Sequence, residues 1–596
     1  VPGRVPLYGR QRLLVQRADD GRARRYEREV RSVDPHSIRL ALRHDDSLVL
    51  VSLSTRNDSK VSVVAGAAQD QALVILLVAE SRVDEYLGVG YLTSSLRDAG
   101  FDVEVFQLAF PGHADELARR LGSSRRVVLV GIAWLYDSSA PLVADAARLV
   151  KQVRADVPVV VGGHPPSLSP GQALALAADI DYVLRGEGDH NIVVLAGILD
   201  TLQGSVESVP GIAVRKGDSV LLGEAPAQIA DLEALGLAAR DTLQHVLSQA
   251  ASPAAVVARL CGSRGCYARC EFCSMVSFYN LDGAGMKWRH RSAKAIVDEI
   301  EQLVESYQVS RFWFVDDEFL GTPKEHGERA LAVAQRIIER RLDIEWGFDA
   351  RANGVAGLPP GGPELLRSSG VRVVAMGLES GSQAALKRLN KGIRVESNRL
   401  AVERLRASGI EHRFGFIMFD PGTTMEDLRL NVDFVRFAEP HRICNTGPFR
   451  LLNAEYPEVG TPLAIRLGVG ATTSEALVEQ NKPRLSEDGL GYAFDDDRVG
   501  RTRRLLFDFA QTVVEGVMTP RPVGEPSLLS EVWWGGTNHL PENVAAMNAF
   551  LDVFDWVLSD LNPSEARELP IEAHDLFANQ FRAYLCAESA DFLRME

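Results

Sequence analysis

The sequence predicts an α/β protein in which a Rossmann-like, doubly wound domain precedes a full or partial TIM-like barrel and a mainly α-helical C-terminal domain. Apolar runs at 72–79, 127–133 and 158–162 alternate with helix-like stretches such as YLTSSLRDAG and PLVADAARLVKQVRAD. Short runs that are apolar on both faces suit buried parallel strands under packed helices. A second series places strands RFWFVDD, DIEWGFDAR, VRVVAMGLES and HRFGFIMFD between helices at 292–306, 325–341, 363–369, 383–390, 396–408 and 425–438. Five or six βα units in succession imply a barrel with its chemistry at the carboxyl ends of the strands. At 596 residues the chain exceeds what one hydrophobic core accommodates, and three or four domains are expected.

Taken in order, residues 1–70 read as a polar, irregular N-terminal extension with one alternating run, DSLVLVSLS. Residues 71–205 form the doubly wound domain, whose ligands should sit at the strands' carboxyl ends. Residues 206–250 hold PGIAVRKGDSVLLGE, two strand-like runs about the turn KGD, and then a Pro- and Ala-containing link, so a hairpin and linker are expected. The barrel spans 251–470, and 471–596 is the helical domain, with a WWGG turn at 533–536. No internal repeat or low-complexity segment is evident.

Composition narrows the function. A net charge of −15 argues against a surface that tracks nucleic-acid backbone. No apolar run approaches the roughly 20 residues of a membrane span, and RQRLLVQRADDGRARRYEREVR lacks the apolar core of a signal peptide. A cytoplasmic protein with no membrane or nucleic-acid partner is the expectation.

Four of the six cysteines, Cys261, Cys266, Cys270 and Cys273, crowd into RLCGSRGCYARCEFCSM. Six cysteines in so long a chain are too few for a disulfide scaffold, so the cluster points to metal or redox chemistry. Structural zinc favours two well-separated ligand pairs, with Cys261 or His290 the nearest candidates for a fourth ligand here. The triplet Cys266-x3-Cys270-x2-Cys273 suits a [4Fe–4S] cluster better: each thiolate takes one corner and one iron stays open.

CxxxCxxC with Phe272 before the last cysteine resembles the signature of the radical SAM superfamily. That resemblance implies a [4Fe–4S] cluster on Cys266, Cys270 and Cys273 as metal ligands and catalytic centre, with S-adenosylmethionine (SAM) chelated at the open iron. It implies SAM-contacting groups at Asp316, Asp317 and Glu318 of FVDDEF, at Arg351, and at Glu379, Ser380 and Ser382 of GLESGS. FDPGTT, with Pro421 and Gly422, and EVGTPL at 458–463 resemble later segments of the family.

Upstream, YLGVGYLTSSLRDAG, VVVGGHPPS and DYVLRGEGD together resemble the cobalamin-binding domain of one radical SAM branch. Gly162, Gly163, Gly186, Glu187 and Gly188 are then expected in turns that approach the corrin, with His164 lining the pocket and Trp134 and Tyr136 touching the ring. The DxHxxG of methionine-synthase-like domains is replaced by ESRVDEYLG. The resemblance therefore implies cobalamin with no histidine below cobalt and with Arg82, Tyr86 and Leu87 near its lower face.

The function so implied is a cobalamin-dependent radical SAM methyltransferase. It would move methyl from methylcobalamin to a carbon of a small-molecule or carrier-bound natural product, as in antibiotic biosynthesis, with electrons from a flavodoxin or ferredoxin. A cyclase or rearrangement enzyme using the same cofactors is the alternative, and a non-catalytic cluster or cobalamin sensor is the rival from another class. A methylthiotransferase is excluded because no cysteine precedes Cys261. Cys261, Cys444 and Cys586 read as buried small hydrophobes, with Cys444 able to face substrate, and Trp533–Trp534 as core.

Overall fold

The structure is a computed structural model. It describes residues 13–16, 23–34, 37–44 and 47–54, residues 72–443 apart from Ser124, Asp218 and His326, residues 451–468 apart from 453 and 456, and residues 492–515 and 541–559. They fall into two compact units, Val1–Gln71 and Ala72–Glu596. Cys444, Cys586, Trp533 and Trp534 lie outside the described residues.

In the first unit, β1 (Leu13–Gln16), β2 (Ala23–Asp34), β3 (Ser37–His44) and β4 (Ser47–Ser54) form one antiparallel sheet in sequential order. This corrects the expected irregular extension. β3 alternates through Ile38, Leu40 and Leu42 and β4 is rich in apolar residues, whereas ARRYEREVRSVD in β2 pairs through its backbone with no apolar face to announce it.

The second unit begins with β5 (Leu73–Val78), β6 (Asp102–Gln107), β7 (Val127–Ala133), β8 (Val159–Gly162) and β9 (Tyr182–Leu184). These pair in parallel in the spatial order β6-β5-β7-β8-β9. That order reverses direction between β5 and β7, and a doubly wound sheet binds its ligand outside the strand ends at such a switch point. The loops after β5 and β7 flank it. The expected hairpin, β10 (Ile212–Lys216) and β11 (Ser219–Leu222), extends the same sheet antiparallel to β9.

β12 (Val257–Leu260) opens the second large sheet. β13 (Ser263–Arg264) and β14 (Arg289–His290) pair antiparallel and bracket the cysteine loop. β15 (Arg311–Phe314), β16 (Glu345–Arg351), β17 (Val371–Glu379) and β18 (Glu411–Phe416) follow β12 in parallel and in sequence, giving a five-stranded partial barrel. A single parallel bridge from Phe414 to Ile443 extends it.

Strand alternation decides the two faces of this barrel. Phe312, Phe314, Trp346, Phe348 and Phe414 are fully buried under the surrounding helices. Val257, Trp313, Val373 and Ala375 form a separate apolar cluster on the inner face. The helices Asp497–Glu515 and Pro541–Ser559 contribute Leu506, Phe550 and Phe554 to the outer core. Arg436 pairs there with Asp552 at 2.8 Å and Asp555 at 2.7 Å. Among the described residues, no helix is long and apolar enough to cross a membrane.

Buried ion pairs lock the two sheets together. Arg240, at the head of the helix Asp241–Gln249, pairs with Glu85 of the β5 loop at 2.6 Å and with Glu299 of a barrel helix at 2.5 Å. Arg259 on β12 holds Asp84 at 2.8 Å. Arg264 on β13 pairs with Glu187 at 3.0 Å and Asp189 at 2.9 Å, and Arg289 reaches Glu187 at 2.7 Å. Removing one partner of such a pair strands the other charge in a desolvated site. Arg240→Ala should therefore destabilise the protein by about 3–5 kcal/mol, read as a lower denaturation midpoint in guanidinium chloride.

Candidate functional site

The cysteine loop joins β12 to the short helix Ser274–Phe278 and is held by acidic groups from the end of β15. Asp316 accepts hydrogen bonds from the Gly262 N–H at 2.7 Å and the Ser263 hydroxyl at 2.5 Å. Asp317 accepts one from the Gly265 N–H at 2.9 Å. Gly265 has φ +81°, and a side chain there would overlap the Lys287 carbonyl, so the turn into Cys266 requires glycine.

Cys270 is buried, Cys266 and Cys273 are partly exposed, and none is in a disulfide. Arg351 donates from Nη1 to the Cys270 Sγ at 3.3 Å, and the Ala268 N–H donates to the Cys266 Sγ at 3.4 Å. Burial pushes the Cys266 thiol up to about 11; burial and the neighbouring Cys270 push Cys273 up to about 12. Thiolates so disfavoured in the metal-free loop are the form a bound metal recruits. Arg351 is buried and its Nε has no hydrogen-bond partner, an orphaned donor beside the triplet.

Among the described residues, no three His, Cys, Asp or Glu side chains converge as ligands of a single ion. That is compatible with a cluster whose irons each take one cysteine. The His290 ring packs on Trp288 at 4.6 Å. The set therefore fits a [4Fe–4S] cluster: three separate thiols, an adjacent guanidinium and an unfilled donor.

The strand-end residues divide by parity. Asp316 and Glu318 are buried, and Glu318 accepts from the N–H groups of Arg351 at 2.7 Å and Leu320 at 2.9 Å. Both are posts for the backbone. Asp317 is open to solvent, although the protein around it raises its carboxyl to about 6. Exposure combined with a protein-dominated environment places Asp317 in a deep cleft.

Glu379 adopts a left-handed conformation at φ 61° and pairs with Lys391 at 2.7 Å. Lys391 lies 5.7 Å from the centre of the Phe272 ring, and its carbonyl accepts from Arg351. Ser380 and Ser382 are 0% and 1% exposed, their hydroxyls donating to Asn431 and Asp427. Ser382 also caps the helix Gln383–Arg388. Both hydroxyls are engaged within the fold.

At the other sheet, Arg82 is exposed on the β5 loop, and its carbonyl accepts from the Tyr86 hydroxyl at 3.0 Å. Tyr136 is 61% exposed beyond β7. Trp134, 2% exposed, lies in the core, its indole N–H donating to the Tyr136 carbonyl at 2.8 Å, so only the tyrosine of that pair meets a ligand surface. Leu87 is also core, packed in one cluster with Cys261, Tyr91 and Leu235. Glu187 is committed to Arg264 and Arg289. Trp134, Leu87 and Glu187 are thus engaged within the fold, where burial overrides position near a strand end.

Gly163 and Gly186 take left-handed or otherwise positive φ in turns, and Gly162 ends β8. Gly163 has φ +125°, and any side chain there would overlap the Trp134 carbonyl. His164 follows and packs edge-on against Phe278, 4.5 Å away, just beyond the cysteine loop. Burial lowers its imidazole to about 4. The exposed Arg82 and Tyr136, the glycine turns and the lack of histidine in the β5 loop fit cobalamin bound without a protein ligand from that loop.

Three inward groups escaped the sequence reading: Arg259, Asp349 and Lys391. Asp349 was detectable, since it stands two residues before Arg351 on one strand and so on the same face. Lys391 carries no such signal in LNKG.

A model of the B12 binding domain matches residues 73–196, and one of the Radical SAM superfamily matches residues 260–435. The anaerobic magnesium-protoporphyrin IX monomethyl ester cyclase of Rubrivivax gelatinosus is 27% identical, over 59% of this chain and 62% of the cyclase. The match thus spans less than two thirds of that relative. The uncharacterized methyltransferase PH0819 of Pyrococcus horikoshii is 25% identical, over 59% of this chain and 72% of that protein. The cobalamin-dependent S-adenosylmethionine radical enzyme OxsB, solved with aqua-cobalamin and S-adenosylmethionine bound, superposes with a TM-score of 0.63 at 18% identity, covering 93% of this chain and 92% of OxsB.

Two cofactor domains in one chain, each with its loops at the expected strand ends, define a class. The chain is a cobalamin-dependent radical SAM enzyme, with cobalamin, SAM and a [4Fe–4S] cluster as its cofactors.

Protein prepared without oxygen should carry about four irons per chain and one cobalamin. Replacing Cys266, Cys270 and Cys273 together by Ala should remove the iron and leave the cobalamin, measured by iron assay and absorbance. The paramagnetic resonance spectrum of the cobalt(II) form should lack splitting from an axial nitrogen, and His164→Ala should leave it unchanged; splitting lost in His164→Ala would make His164 a cobalt ligand.

Proposed function

We propose that the protein is a C-methyltransferase acting on a small-molecule natural product, supplied with electrons by a flavodoxin- or ferredoxin-type donor. The carrying observation is that the two cofactor-binding ends face one another. Asp84, from the β5 loop of the B12-binding sheet, is bonded to Arg259 inside the barrel, and Tyr136 feels the charges of both. Substrate seated there lies between the two cofactors. When bound, the cofactors supply a transferable methyl group on cobalt and a carbon radical that abstracts hydrogen from substrate.

The chain's own groups position and insulate that chemistry. Cys266, Cys270 and Cys273 would hold the cluster, with the Arg351 guanidinium balancing negative charge at Cys270. Asp317, the exposed acid nearest the loop, would accept the SAM amine while keeping Gly265 in place. Glu379 and Lys391 neutralise each other where SAM would rest. Arg82, Tyr86 and Tyr136 would border cobalamin. The ion pairs hold both ends in register and leave little freedom to lose on reaching the reactive arrangement.

Methyl transfer has a counterpart in the methyltransferase relative from Pyrococcus horikoshii. The Rubrivivax gelatinosus relative instead favours a cyclase as the second reading. A substrate-free experiment separates them. Reduced holoenzyme given SAM should form S-adenosylhomocysteine in about equal amount to its cobalamin, since each cobalt accepts one methyl. Formation of 5′-deoxyadenosine with no S-adenosylhomocysteine would favour the cyclase.

A further inference from the structure

The inner face of the barrel holds a polar group that neither the cluster nor the SAM-facing residues employ. Asp349, on β16, accepts a hydrogen bond from the Trp313 indole N–H at 3.1 Å through Oδ2. Its other oxygen makes no hydrogen bond among the described residues. The carboxylate shares its face of the sheet with Trp313, Val257, Val373 and Ala375, a buried apolar cluster. The Trp313 ring lies against Gly347, where a Cβ would come within 2.6 Å of it, so glycine there leaves the ring flat across the strand.

Val315, beyond Trp313 on the same side of its strand, is 46% exposed, and Tyr136 across the interface is 61% exposed. Two such apolar groups at the mouth of a barrel leave surface for an apolar body to cover. The charges are uneven. Arg259, a cation that acts on Asp349, is already paired with Asp84. Burial, and after it the like charges of Asp316 and Asp317, raise the Asp349 carboxyl to about 7. An incoming cation would meet an acceptor oxygen without a partner and would relieve that repulsion.

We infer that Asp349 selects a substrate carrying a protonated amine on an apolar body. The assignment rests on the methyltransferase reading for what happens to that substrate, but not for its binding. Asp349 is a recognition residue, set one layer below the strand ends on which Asp317 and Glu379 stand.

The test uses holoenzyme and three probes that share one apolar body: phenethylamine, 2-phenylethanol and phenylacetate. Calorimetric titration should show phenethylamine binding about tenfold more tightly than the alcohol, and phenylacetate more weakly than either. Asp349→Asn keeps an oxygen for the Trp313 indole, and its cobalamin and iron contents report whether it has folded. In that variant the preference for the amine should vanish. An amine that binds no better than the alcohol, or a preference that survives in Asp349→Asn, would overturn the assignment. Failure of wild-type S-adenosylhomocysteine formation would count against methyl transfer alone, since the probe preference is read without turnover.

Discussion

The Arg240 guanidinium, buried between Glu85 and Glu299, is the constraint on which the rest of the active assembly depends. Its two carboxylates come from separate sheets, one bearing the B12-binding loops and the other the cysteine loop. Arg259–Asp84 and Arg264–Glu187 repeat the arrangement on either side. Charges taken out of water repay their desolvation only when their geometry is closely met. A displacement of one sheet against the other would break several pairs at once, so the network defines a single relative position. Radical transfer across a domain interface needs such a fixed position more than it needs affinity.

Apolar contacts at the same seam reinforce it. Leu87 and Tyr91 of the first helix pack with Cys261 at the start of the cysteine loop. His164 meets Phe278 just after the loop. The cysteine triplet is therefore flanked on both sides by residues that touch the B12-binding sheet. This accounts for Cys261 as a packing residue: burial pushes its thiol up to about 12, the state of an inert small hydrophobe.

What could be read from the sequence was what is local. The buried parallel strands are apolar on both faces, and CxxxCxxC is complete within eight residues, Cys266 to Cys273. In the antiparallel sheet of β1–β4, β2 was hidden because backbone pairing leaves no apolar signature in ARRYEREVRSVD. Within the site, position near a strand end is a poor guide to exposure. Asp316, Asp317 and Glu318 are adjacent in sequence, yet alternation sends only the middle one into the cleft. Trp134 and Tyr136 share the parity of their strand, but the indole is covered while the phenol is open. Arg240 and Lys391 could not be found at all, because their partners lie 155 and 12 residues away and meet them only on folding.

The inner face of the barrel also shows what a binding site costs its own fold. Burial raises Glu318 and Asp349 to about 7. For a carboxyl whose pKa rises on folding, the stabilisation is fully present below the unfolded value near 4 and is lost as pH rises through about 7. At neutral pH and above, the empty site therefore holds carboxylates that the fold would be more stable without. The two differ in what compensates them. Glu318 receives two backbone N–H bonds, so its charge is absorbed by the chain. Asp349 receives one indole bond and keeps an oxygen unused. A purely structural acid would be expected to resemble Glu318. The incomplete satisfaction of Asp349 is the mark of a group whose partner arrives with the ligand.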